Sequence, residues 1–140
     1  MNSPIIRADL SHAALMAALH TTVFPHAAWT EAAFLSLLSQ PGCLGLLHPA
    51  GGFLLLRTVL DEAEILTFGT VQKRHGLGSA LLHEGLNRLK QADVHALYLE
   101  VAASNEPARL FYETFGFVLT GRRKAYYEDG DDALMMRLSC

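Results

Sequence analysis

The residues able to do chemistry begin with the run Lys73, Arg74, His75, Gly76, Leu77, Gly78 and Ser79. Two glycines two apart follow a basic cluster and open into an amphipathic run, so bare backbone N–H groups and a helix N-terminus converge on one spot. Phosphate suits such a spot, because orphan N–H groups and the positive end of the helix dipole both point at it. The third glycine and downstream acid of a dinucleotide fold are absent, as is the Gly-Lys-Ser/Thr of a P-loop. Taken alone, the run is either an anion site or an ordinary strand-to-helix turn. A second candidate is Glu100, in the run Ala96, Leu97, Tyr98, Leu99, Glu100, Val101, Ala102. Alternation puts Leu97, Leu99 and Val101 on one face of a strand and Tyr98, Glu100 and Ala102 on the other. A carboxylate in that setting is costly unless it is paired, exposed at an opening in the sheet, or used.

Both candidates need elements to hold them. Apolar residues at Leu77, Leu81, Leu82, Leu86 and Leu89 have the spacing of one helical face and predict a helix to about Gln91. That helix must cross back over a sheet, so residues 96–102 form a strand parallel to the one at 62–68 that feeds the glycine run. Ser104-Asn105-Glu106-Pro107 is a helix start with Asn105 or Ser104 as cap; the helix runs to Phe115, and Gly116 stops it. It carries Tyr112, which on pattern alone reads as a core tyrosine. Upstream, residues 5–7 predict a short strand. Ser11 predicts the cap of a helix to about Thr22, with Ala14, Leu15, Ala18 and Leu19 facing inward. Thr30 caps a second helix that turns Phe34, Leu37 and Leu38 inward and closes at Pro41-Gly42. Residues 44–47 and 53–58 predict a hairpin, and residues 117–127 and 133–138 a second one, joined by an acidic turn containing Asp129-Gly130.

Composition sets the class. Of 140 residues, 51% are hydrophobic and 18% charged, which predicts one globular domain over residues 1–140. No apolar run is long enough for a membrane span, and the N-terminus lacks the pattern of a signal peptide. Cys43 and Cys140 make no disulfide framework, so the expected setting is reduced and cytoplasmic. The seven histidines are scattered without metal-ligand spacing, so no metal is expected. A net charge of −3 argues against direct nucleic-acid binding and tolerates a basic peptide as substrate.

As a whole the chain resembles the GNAT family of acetyl-CoA-dependent N-acetyltransferases, and within it the RimI-type ribosomal-protein-alanine N-acetyltransferases. The residues from Lys73 to Gly78 are similar to the family's Gln/Arg-x-x-Gly-x-Gly/Ala pattern. The RimI likeness rests on Leu99-Glu100-Val101, Ser104-Asn105, Ala108, Leu110-Phe111-Tyr112-Glu113, Gly116-Phe117 and Arg122-Arg123-Lys124-Ala125-Tyr126-Tyr127. Phe24-Pro25, Trp29-Thr30-Glu31 and Phe34 add to it. The chain departs from the pattern at Lys73, at Thr70 where a proline is common, and at Ala102 where the RimI type often has arginine.

The resemblance implies an α/β (α+β) GNAT fold around a mixed, mostly antiparallel sheet of about seven strands with about four helices. The implied order is strand, two helices, three strands, helix, strand, helix, two strands. It further implies an acyltransferase with acetyl-CoA as cosubstrate. The cofactor would be held by Leu66, Thr67 and Phe68, by Lys73, Arg74, His75, Gly76, Leu77, Gly78 and Ser79, and by Asn105. Glu100 would be the base and Tyr112 the acid of a direct transfer that leaves both cysteines as bystanders. Trp29, Tyr126 and Tyr127 would meet the acceptor, implied to be a protein N-terminus, of a ribosomal protein beginning with alanine. Two other readings stay open: a small-molecule amine as acceptor, and a non-catalytic acetyl-CoA-binding module.

Overall fold

The computed structural model describes residues 4–72 and 76–140. In chain order its elements are β1 (Ile6–Ala8), α1 (Ala13–Val23), α2 (Glu31–Leu38), β2 (Cys43–His48), β3 (Gly52–Val59) and β4 (Glu62–Thr70). There follow α3 (Leu77–Gln91), β5 (Ala96–Ala102), α4 (Glu106–Phe115), β6 (Val118–Arg123) and β7 (Ala133–Ser139). The seven strands form one sheet in the order β1-β2-β3-β4-β5-β7-β6, antiparallel except where β4 meets β5. This is the mixed sheet and helix order that the resemblance implied. Among the described residues no helix is long and apolar enough to cross a membrane.

The sheet is covered on both sides, which is why β3 reads as a continuous apolar run rather than an alternation. Leu54 and Leu56 join a core with Leu81, Leu82 and Leu89 of α3 and Leu97, Leu99 and Val101 of β5. Phe53 and Leu55 join the opposite core with Ala13 and Met16 of α1 and Phe34 of α2. Helix α3 lies so close on β3 that a Cβ at Gly85 would stand 2.8 Å from a Leu54 methyl.

The chain ends its paired sheet early at one place, and that place makes the cleft. Strands β4 and β5 pair only through Glu62 to Ala96, Ala63 to Leu97 and Glu64 to Tyr98. Just beyond, β4 carries a bulge: Thr67 faces Leu55 and Ile65 faces Leu56, leaving Leu66 without an opposite residue. A bulge bends its strand and sharpens its twist. Strand β5 meanwhile stays paired with β7 along its whole length, from Ala96–Ser139 to Ala102–Ala133. The two strands therefore splay apart, and the cleft-side backbone groups of β4 beyond Glu64 face no partner strand.

Two elements differ from expectation. Helix α1 begins at Ala13, after a 3-10 turn over Leu10–His12 capped by Asp9, whose carboxylate accepts from the Ser11 N–H at 2.8 Å. Its buried residues are Ala13, Met16 and His20, whereas Ala14 and Ala18 are exposed and Leu15 is 50% exposed. The segment is apolar nearly all round, so periodicity could not choose the face, and the partners of His20 chose it. Strand β6 stops at Arg123 instead of continuing to Tyr127. Asp132 ends it there: its carboxylate accepts from the Ala125 N–H at 2.8 Å and from Arg122 Nε at 2.5 Å, drawing the chain out of the sheet. Ala125 then adopts a left-handed φ of 49°.

Candidate active site

A cavity of about 680 Å³ fills the opening between β4 and β5. Its walls are residues 65–70 of β4, residues 99–102 of β5, the first residues of α3 and α4, the C-terminal end of α1 and Tyr127. Of the residues singled out in the sequence, Leu66, Thr67, Phe68, Gly76, Leu77, Gly78, Ser79, Glu100, Asn105, Tyr112 and Tyr127 all line it. Lys73, Arg74 and His75 lie outside the described residues.

Helix α3 enters this cavity with a bare N-terminus. Gly76 is its cap residue at φ 69°, in the left-handed region, with no side-chain capping bond. The first intrahelical bond from this cap runs from the Ala80 N–H to the Gly76 carbonyl at 3.0 Å, so the N–H groups of the first turn remain for a ligand. A Cβ at Gly76 would meet nothing within 4 Å, so its backbone angle, not crowding, favours glycine there. The arrangement fits an anionic, phosphate-bearing group.

Glu100 and Tyr112 approach the cleft from different environments. Leu97, Leu99 and Val101 point into the core under α3 and α4, so alternation turns Glu100 to the opposite side, where it is exposed at the opening. Among the described residues it has no ion-pair partner, the arrangement expected of a strand carboxylate at a gap in a sheet. Tyr112 packs among Phe68, Phe111 and Phe117 with ring centroids 5.5–6.4 Å away. Burial pushes its phenol up to about 12. Asn105 caps α4, its side-chain oxygen accepting from the Ala108 N–H at 3.3 Å, which leaves its amide N–H₂ for other partners.

Tyr127 reaches the cavity because its loop is tied down. The Tyr127 N–H donates to the Asp131 carbonyl at 3.2 Å and the Ala103 N–H to the Asp132 carbonyl at 2.8 Å, while the Ser104 hydroxyl bonds the Asp131 carboxylate. Burial raises the Tyr127 pKa first, and the negative charge of Glu100 raises it further. Asp131 and Asp132 thus hold the loop in place.

The cavity wall does not include Trp29 or Tyr126. Trp29 stacks on His20 at 5.0 Å and donates its backbone N–H to His20 Nδ1 at 3.1 Å. Tyr126 is 50% exposed and lies 5.4 Å from the Arg123 guanidinium. The structure also brings in Val23, just past the expected helix end at about Thr22, and Phe24, quoted in the resemblance without a role. His20, 2% exposed and bonded to Thr67, was likewise unmarked; its one signal was a histidine inside an otherwise apolar helical stretch.

The site is thus a sheet splayed beside a parallel strand pair, with a bare helix N-terminus at the gap. Residues 52–117 match the model of the acetyltransferase (GNAT) family. The chain is 34% identical over 139 residues to the ribosomal protein bS18-alanine N-acetyltransferase of Escherichia coli K12, covering 89% of this chain and 90% of that one. The crystal structure of the ribosomal-protein-S18-alanine N-acetyltransferase from Escherichia coli superposes with a TM-score of 0.87 at 30% identity, covering 99% and 94%. Ard1 from Thermoplasma volcanium shares the fold, with a TM-score of 0.81 at 23% identity over 98% of both chains. The chain belongs to the GNAT family of acetyltransferases, and its likeness within that family is to the RimI type.

Proposed function

We propose that the protein transfers the acetyl group of acetyl-CoA to the N-terminal α-amine of a protein, a ribosomal protein beginning with alanine. The observation that carries this reading is the convergence of Glu100, Tyr112 and the bare α3 N-terminus on one cavity, in a chain similar end to end to bS18-alanine N-acetyltransferases. The donor supplies an activated thioester; what the chain's own residues do can be derived from their placement. The first-turn N–H groups of α3 and the unpartnered backbone of β4 hold its phosphates and its pantetheine arm. A free α-amine has a pKa near ~8 and is mostly ammonium at neutral pH, so a proton must leave before it can attack. Glu100 takes that proton, directly or through a water. The backbone N–H of Phe68 supports the thioester oxygen as charge develops on it. Tyr112, a phenol protonated throughout the working pH range, donates its proton to the departing sulfur, and the second proton that the nitrogen sheds as the amide forms restores it. Neither Cys43 nor Cys140 lines the cavity, in keeping with direct transfer.

The test is CoA release from acetyl-CoA with peptides beginning Ala, Ser, Met or Lys beside a panel of small amines, with mass spectrometry locating the acetyl group. Acetylation of the α-amine of Ala-start peptides is the expected result. Glu100→Gln and Tyr112→Phe are each expected to lower kcat by roughly 10²-fold or more. Turnover of small amines alone would reassign the acceptor, and unchanged kcat in Tyr112→Phe would return that residue to the core.

A further inference from the structure

Among the described residues the buried polar side chains are His20 and Thr67, and they are bonded to each other. His20 sits in the last turns of α1 inside a cage of Phe24, Trp29, Phe34 and Phe53, with ring centroids 4.8–5.5 Å away. Its Nδ1 accepts the backbone N–H of Trp29 at 3.1 Å, so that nitrogen carries no hydrogen. In the neutral ring the hydrogen is then on Nε2, which donates to Thr67 Oγ1 at 3.0 Å. The direction of the second bond follows from the first. It occupies one of the two lone pairs of the threonine oxygen and leaves the threonine's own hydrogen to donate, and among the described residues none takes it.

Where that hydrogen can point follows from the sheet. Thr67 reaches His20, so its side chain is on the α1 side of β4. Glu100 is on that same side, because its neighbours Leu99 and Val101 pack under α3 and α4. Thr67, Glu100, Val23 and Phe24 are all part of the cavity wall. The side occupied by α1 is therefore the acceptor side, with a carboxylate for the amine and one hydroxyl donor in the same cavity wall.

We propose that His20 is a positioning residue that holds the Thr67 hydroxyl with its hydrogen free to donate, and that Thr67 reads the first peptide carbonyl of the acceptor. The inference rests on the function proposed above and deepens it, since a peptide N-terminus carries a carbonyl oxygen one carbon beyond the α-carbon and a simple amine does not. A site built to bond a group discriminates against analogues that lack it, because its own buried polar atom is then left unpaired. The pair thus selects α-amino amides over plain primary amines.

The experiment compares an Ala-start peptide with the same peptide carrying a reduced first amide, in which the carbonyl is replaced by CH₂. Both are assayed on the parent chain and on Thr67→Val, Thr67→Ser and His20→Gln, with acetyl-CoA affinity and melting temperature measured alongside. Removing the carbonyl is expected to raise the acceptor KM of the parent about tenfold, the size of one neutral hydrogen bond. Thr67→Val is expected to raise the KM of the ordinary peptide to a similar degree and to lose the discrimination; acetyl-CoA affinity, measured alongside, reports separately any part the Thr67 side chain has in holding the donor. Thr67→Ser should restore discrimination, and His20→Gln, which can accept from Trp29 and donate to Thr67, should retain most of it. The peptide arm on the parent chain needs no variant to fold, so equal KM for the two peptides there overturns the inference. Discrimination that survives in folded Thr67→Val overturns it as well. Turnover of simple amines and of no peptide would overturn the function itself, a result distinct from either.

Discussion

Tyr112 and His20 are both surrounded by aromatic rings, and burial disfavours the charged form of each in opposite senses. The phenol is pushed up to about 12 and the imidazole down from its ordinary 6.5. For Tyr112 the consequence is kinetic: a donor that titrates so high does not switch off within an assay range. The kcat profile with an Ala-start peptide should show no descending limb before about pH 10, the ordinary tyrosine value. A fall centred near 10 would assign the acid role to a phenol of ordinary acidity instead. For His20 the consequence is thermodynamic. Its folded pKa lies below the unfolded one, so between the two the unfolded chain binds a proton that the folded chain refuses. Stability is then full above about pH 6.5 and declines as pH falls through that window. Melting temperature should drop more steeply from pH 7 to 5 in the parent than in His20→Gln, where no such group titrates. Parallel slopes would mean that His20 accepts its proton while folded, at the expense of the Trp29 bond.

At the scale of elements, the start of α3 and the bulge in β4 build the site between them. Gly76 holds a left-handed angle that costs a residue with a Cβ roughly 1–2 kcal/mol. Gly76→Val is therefore expected to lower the melting temperature by several degrees and to weaken acetyl-CoA binding, since the strained cap would tilt the first-turn N–H groups. Isothermal titration and a melt on the same preparation check it, and unchanged affinity in a destabilised variant would detach the helix start from cofactor binding. The helix itself was legible in the sequence, because its leucines keep one face and Gly76 and Gly78 mark its start. The alternation of β5 was legible too, and with it the side on which Glu100 emerges. What escaped was whatever depended on partners distant in the chain. Helix α1 is apolar on most sides, so its orientation was settled by Thr67, 47 residues from His20. Residues 124–127 read as strand because their composition is compatible with one, and the Asp132 carboxylate and the Asp131 carbonyl divert them. Trp29 entered through the resemblance, and the structure places it in the cage around His20, outside the cavity lining.

On the scale of the molecule, the sheet is two paired halves, β1 to β4 and β5 to β6, joined across three residue pairs at one end. The apolar core beneath α3 spans the joint, with leucines from β3, α3 and β5 in one cluster. At the open end no backbone pair joins β4 and β5. A ligand seated there would contact β4 and the start of α3 on one side and β5 and α4 on the other, and so would supply the bond between halves that the backbone omits. Any ligand that binds only the folded state stabilises it by about 2.7 kcal/mol at a hundredfold excess over Kd. For a chain of 140 residues that corresponds to a rise in melting temperature on the order of 10 °C. The distribution of the effect is the sharper test. Hydrogen exchange with acetyl-CoA present should slow together at residues 65–70, at the first turn of α3 and at the first turn of α4, while β1 and β2 change only as global stability changes. Protection confined to α3 would describe a molecule that holds its cofactor by the phosphates alone and leaves the two halves of its sheet unjoined.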